Sequence, residues 1–151
     1  MTGKEARPSR VALRLWLAAS LGLAGCSGGR NLLVPVTDTV FEYRQEFTSL
    51  ARFRTFIADF VVPAPGTLHI TVDWTSAADD IDLVLSNPAC DAIELVAGTC
   101  KVFGRDQSNL KPAQMTMPTT ATGYRLFVVN RGPSEETGTI IVTVTQSHLA
   151  L

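Results

Sequence analysis

Asp79, Asp80 and Asp82 form the densest group of carboxylates in the sequence, with Asp73 close before them. Calcium takes about six to eight oxygen ligands, and carboxylates this close together would supply part of that shell. No D-x-[DN]-x-[DN]-G loop surrounds them, however. A simpler role is that Asp79 and Asp80 cap the turn after Trp74-Thr75-Ser76 by accepting backbone N–H groups, which leaves Asp82 facing solvent. Calcium is therefore the alternative expectation, and no other cofactor is implied.

The histidines offer less. His69 falls at an outward strand position and His148 in the C-terminal tail. There is no G-x-S-x-G, and no acid is placed to orient either imidazole. With the nucleophile–base pair missing, the chain is expected not to be an enzyme. Trp74 could stack on a sugar ring, but its inward position in the alternation favours a core anchor. Glu135-Glu136 reads as a solvated hairpin tip.

Cys26 is the residue with the clearest chemistry. It closes the run Leu23-Ala24-Gly25-Cys26, behind an apolar stretch from Val11 to Ala24. Lys4, Arg7, Arg10 and Arg14 against Glu5 make the segment ahead basic, as in an export signal. The uninterrupted apolar part, Leu15 to Gly25, is shorter than the ~20 residues a spanning helix needs. The pattern is a bacterial lipobox: cleavage before Cys26 and lipid on its sulfur and new amino group. Each buried CH₂ adds about 0.8 kcal/mol, so two or three acyl chains hold a protein on a membrane. Ser27, where an Asp would signal inner-membrane retention, favours the outer membrane. Whether the domain faces the periplasm or the outside stays open at this point.

The expected organisation is a signal peptide over 1–25, a lipidated Cys26 with a tether over 26–37, and one domain over 38–151. From Cys26 onward nine Lys and Arg face thirteen Asp and Glu, a mildly acidic balance with no basic stripe. Nucleic acid is therefore not an expected partner. Cys90 and Cys100 remain once Cys26 carries lipid, and an even remainder in an exported chain points to a disulfide. A zinc site is the rival, but this lone pair lacks zinc-ligand spacing and has no nearby His.

The elements that carry these residues have period two. Leu68, Ile70, Val72 and Trp74 alternate with Thr67, His69, Thr71 and Asp73, which gives a strand one apolar and one polar face. Ile140, Val142 and Val144 repeat the pattern after Gly138. Phe41, Tyr43 and Phe47 mark a noisier strand, as do Phe56, Ala58, Phe60 and Val62. Ile81, Leu83 and Leu85 mark another, and Met115 and Met117 a short one before Pro118. Tyr124 to Val129 is apolar at nearly every position, as in a central strand covered on both faces. Ile93 to Val96 reads as a short edge piece, and Thr48 to Thr55 as the one place for a helical turn. Turn residues separate these runs, and the whole predicts an all-β antiparallel sandwich of about 7–9 strands.

Three runs together resemble the bacterial pre-peptidase C-terminal domain family. Phe60-Val61-Val62-Pro63-Ala64-Pro65-Gly66-Thr67-Leu68 is similar to its opening strand–turn–strand. Asp80-Ile81-Asp82-Leu83-Val84-Leu85 resembles its D-x-D-L core strand. Gly123 to Asn130, followed by Gly138 to Thr145, resembles its final G-Y-x-l-x-V hairpin. The likeness runs from about Phe56 to Gln146 and implies a jelly-roll-like sandwich. In that family the domain is an accessory of secreted peptidases, sometimes binding polysaccharide or collagen and sometimes holding calcium. No peptidase segment stands before it in this sequence. The expectation is a lipid-anchored accessory or binding module of the bacterial envelope, with an envelope polymer or protein as partner. The alternative is a structural envelope domain stabilised by calcium.

Overall fold

Eight strands and one short helix make up residues 34–150, the part of the chain described by a computed structural model. The lipobox and Cys26 lie outside the described residues. The strands are β1 (Val34–Leu50), β2 (Thr55–Val62), β3 (Gly66–Trp74), β4 (Ile81–Ser86), β5 (Val102–Asp106), β6 (Ala113–Thr119), β7 (Thr122–Asn130) and β8 (Glu136–Ala150). The helix α1 (Ala92–Ala97) lies between β4 and β5. Among the described residues no helix is long and apolar enough to cross a membrane.

Two four-stranded sheets pack face to face, in the orders β1-β8-β3-β6 and β2-β7-β4-β5, with every pairing antiparallel. This is the all-β sandwich that the alternation predicts. Leu68, Ile70, Val72 and Trp74 are buried between the sheets, as are Ile140, Val142 and Val144. Ala58, Phe60, Val62, Leu83, Leu85, Leu126 and Val128 answer them from the second sheet. Each such side chain contributes about 1.5–3 kcal/mol by leaving water, which makes this layer the main source of stability. Tilted aromatic pairs, Tyr43–Phe60 and Phe60–Tyr124, fill the side nearest β1, at 5.5 and 5.7 Å between centroids.

Four local expectations need correction. Residues 93–96 are helical, because Asp91 and Glu94 form a reciprocal capping box and Gly98 closes the turn at φ 73°. Residues 48–55 hold no helical turn: β1 runs to Leu50 and a tight turn follows, with Arg54 N–H donating to the Ala51 carbonyl. The first strand begins at Val34, inside the segment read as tether. Pro118 lies within β6 rather than after it, tolerated because β6 is a sheet edge.

The long β1 is accommodated by two register shifts against β8, at Thr39/Phe41 and Phe47/Leu50. The first changes which residues face inward, so Thr37 and Thr39 share the outer face with Glu42, Arg44 and Glu46. Gly138, opposite Trp74, permits the closest approach in this sheet. A Cβ there would stand 2.3 Å from the Asp73 carbonyl oxygen and 2.4 Å from the Phe47 ring. Gly138→Ala should therefore lower stability by about 1–3 kcal/mol, the usual result of overpacking. A drop of several degrees in the thermal midpoint is the expected readout, and an unchanged midpoint would refute this packing.

Candidate functional site

The carboxylates of the Asp79–Asp82 run are turned toward different partners. Asp79, in the β3–β4 loop, is buried against Glu136 at the start of β8. Glu136 is 1% exposed, so it is no solvated tip; only its neighbour Glu135 is exposed. Its Oε2 accepts from the backbone N–H of Thr75 (2.9 Å) and Ser76 (3.1 Å) and from the Thr75 hydroxyl. Glu136 therefore caps this turn, the role expected of Asp79 and Asp80. The corrected assignment joins residues sixty apart in sequence, which no local pattern could show.

The two Asp79 carboxyl oxygens and Glu136 Oε1 are buried and find no hydrogen-bond donor among the described residues. The contact with Glu136, with burial, pushes the Asp79 carboxyl up. Burial alone would raise Glu136, but its contact with Asp79 and the bonds from Thr75 and Ser76 outweigh it and hold Glu136 below the usual carboxylate range. Gly132 leaves room for the pair, since a Cβ there would lie 2.5 Å from Asp79.

Asp82 is also buried rather than facing solvent. It points to the outer face of the second sheet, where Arg131 Nε donates to its Oδ2 at 3.1 Å. Asp80 lies near both, and burial followed by the charge of Asp82 raises its carboxyl, against the pull of Arg131. The one group of three metal-type ligands among the described residues is Cys90, Glu94 and Cys100. Its sulfurs form a disulfide, which leaves no thiolate to bind a metal.

That disulfide, with Cα atoms 5.5 Å apart, closes the loop that contains α1. Cys90 packs with Val84 and Phe127 in a second apolar cluster, outside the sandwich, with Leu95, Cys100, Val102 and Val129 around it. This covers the outer face of β7 and explains its nearly continuous apolar run. Arg125 ties the loop down from below: it holds Asp59, its cross-strand partner, through two bonds of 2.7 Å and donates to the Cys90 carbonyl at 2.8 Å. Its bond to Asp59 holds that carboxyl low.

Between α1 and the turn after β1 lies a pocket of about 390 Å³. Val84, Phe127 and Val129 line it from the sheet, Leu95 and Val96 from α1, and Phe53 from the turn. Thr55, Asp82, Arg105, Gln107 and Arg131 supply its polar lining. Phe53 is 61% exposed and has φ 58°, a left-handed conformation that bulky residues rarely hold. Two backbone bonds keep it there: Phe53 N–H to the Asn130 carbonyl (2.8 Å) and Asn130 N–H to the Arg54 carbonyl (3.1 Å). Asn130 is itself completely buried, and its amide donates to Leu50 and Ser134 carbonyls and accepts from Gly132 N–H. The Arg52 guanidinium stacks 4.4 Å above the Phe53 ring.

No motif in the sequence marks Phe53, Arg105 or Asn130 as part of a site. The one signal there is weak: an aromatic flanked by arginines between two strands. The residues that do stand out in the sequence lie elsewhere. His69 stands on the outer face of the first sheet between the hydroxyls of Thr116 and Thr145, each 3.2 Å away. His148 lies on β8 beside Asp38 at 3.7 Å. Trp74 is a core anchor whose Nε1 donates to the Asp79 carbonyl. Two more open depressions exist, one over the outer face of the first sheet around Thr71 and Thr139, the other beside Tyr43 and Tyr124. The pocket at Phe53 is the most enclosed of the three.

No family model matches the sequence, and no curated protein does. Among solved structures the chain is similar to the pre-peptidase C-terminal domain of a collagenase from Bacillus anthracis. The identity is 14% and the TM-score 0.43, covering 76% of this chain and 90% of that one. It is also similar to a periplasmic inhibitor of g-type lysozyme from Aeromonas hydrophila, at 17% identity and TM-score 0.41, covering 70% and 85%. The first belongs to the family that the three sequence runs resemble.

Two predictions follow from this geometry. Asp79 has a raised folded pKa, so its contribution is full below the ordinary carboxylate value of about 3.9 and is lost as pH rises through the raised value. Glu136 works in the opposite sense, losing its contribution as pH falls through its lowered value. Asp79→Asn removes the titrating carboxyl and sets an amide against Glu136. Its thermal midpoint should decline less than wild type from pH 4 to pH 8, and parallel profiles would refute the raised Asp79 carboxyl. For the disulfide, closing a loop of 10 residues' separation contributes about 3 kcal/mol in the chain-entropy model. Reduction should lower the midpoint by several degrees, and no change would count against that contribution.

Proposed function

We propose that this chain is a non-enzymatic binding module of the bacterial envelope, held on the outer membrane by lipid on Cys26. Its binding surface is the pocketed outer face of the second sheet. The observation that carries this reading is Phe53: an exposed aromatic kept in a left-handed conformation by the buried Asn130, at the wall of a pocket of mixed polar and apolar lining. Strain of this kind costs about 1–3 kcal/mol and persists only where the surroundings enforce it. Exposed Ile93 and Val96 on α1 extend the apolar surface beyond the pocket. The disulfide and Arg125 fix that helix on the sheet, so the surface is preformed. The lipobox supports the anchor and Ser27 the outer membrane.

Two measurements test the reading. A palmitate analogue fed to cells should label the protein, and Cys26→Ser should abolish the label; persistent label in the variant removes the anchor. A photoreactive phenylalanine analogue placed at Val96 in cells should give cross-linked products. The same analogue at Thr143, on the outer face of the other sheet, should give few. Equal products from both positions, or none from Val96, would remove the binding face.

A further inference from the structure

We infer that the pocket beside Phe53 takes a small amphiphilic carboxylate, its apolar part against Phe53, Leu95 and Val129 and its carboxylate on Arg105 and Arg131. The inference rests on the binding-module reading and adds the chemistry of the ligand. At about 390 Å³ the pocket is near the lower end of the range that holds small molecules, roughly 300–1,000 Å³. Phe127, fully buried, and Val84, nearly so, form its closed floor, while Phe53, Leu95 and Val129 keep accessible apolar surface at its walls. An apolar group placed there covers that surface.

The polar side is specific in sign. Among the described residues Arg105 forms no ion pair and no side-chain hydrogen bond. Arg131 uses only Nε on Asp82, so its two terminal nitrogens have no partner there either. Asp82 is the one carboxylate in the lining, and Arg131 neutralises it. Two guanidinium groups with unused donors therefore serve one pocket that also offers the apolar side chains of Phe53, Leu95 and Val129. A planar fork of N–H donors matches a carboxylate, which can accept two parallel bonds, better than it matches a neutral hydroxyl. The body of the pocket selects for an apolar group and its lining for an anion.

The test uses the full chain carrying Cys26→Ser, so that no acyl group of its own competes. Octanoate is titrated against the ¹⁵N-labelled protein and followed by amide NMR, with 1-octanol as the neutral probe of equal length. Octanoate should move the amides of Phe53, Val84, Leu95 and Arg105 saturably and bind about tenfold tighter than octanol. Arg105→Gln should remove most of that advantage and leave octanol binding unchanged; Arg105 is exposed, and the amide spectrum reports whether the variant is folded. Equal binding of the two probes, or an unaltered octanoate affinity in Arg105→Gln, overturns the carboxylate assignment. No saturable shift with either probe overturns the small-ligand inference altogether. Cross-linking from Val96 would then still support the wider binding face, so the two readings fail separately.

Discussion

One buried amide holds the pocket end of the molecule together. Asn130 is the last residue of β7, fully enclosed, and its side chain and backbone reach β1, the turn after β1 and the β7–β8 loop. None of these segments is paired to the others there by a sheet ladder. An amide suits the position because it donates and accepts at once, which a carboxylate at this site could not do. Leaving a buried partner unsatisfied costs about 1–3 kcal/mol, so the cluster forms as a whole or not at all. The left-handed Phe53, the placement of Gly132 over Asp79 and the aim of Arg131 all depend on it.

The two faces of the second sheet show how burial was only partly legible. Where apolar residues alternated with Thr or Asp, as in β3 and β8, period two gave both the element and its inner face. The strand at Ile81–Ser86 alternates just as clearly, yet its outer residues Asp82, Val84 and Ser86 are buried as well. Their cover comes from α1, which follows β4 and folds back over it, and from Arg131, distant in sequence. The same holds for Glu136, whose partners in the β3–β4 loop are identified only once β8 lies beside β3. Pattern reading sees which side of a strand a residue occupies. It does not see what lies over that side.

The helix is a different case. Its four central residues are apolar or acidic in a run too short for either period to dominate. Yet the Asp91-to-Glu94 spacing and the following Gly98 are capping signals that stand in the sequence. Here the local capping chemistry, not the periodicity, decides the element. For Phe53 no equivalent signal exists: a left-handed φ at a phenylalanine follows from the buried partner, not from the residue type.

The ribbon formed by β1 and β8 has a mechanical meaning. Val34 pairs with Ala150 at one end, while Leu50 and the Phe53 turn stand at the other, about 50 Å away along a strand of this length. If lipid on Cys26 anchors the chain, as proposed, and a load acts on the pocket through α1 and the second sheet, tension would enter at Val34 and run along β1. The hydrogen bonds to β8 lie across that direction and would share the force in shear, instead of opening one after another from an end. A module held this way could be pulled hard by what it grips before its first strand came free.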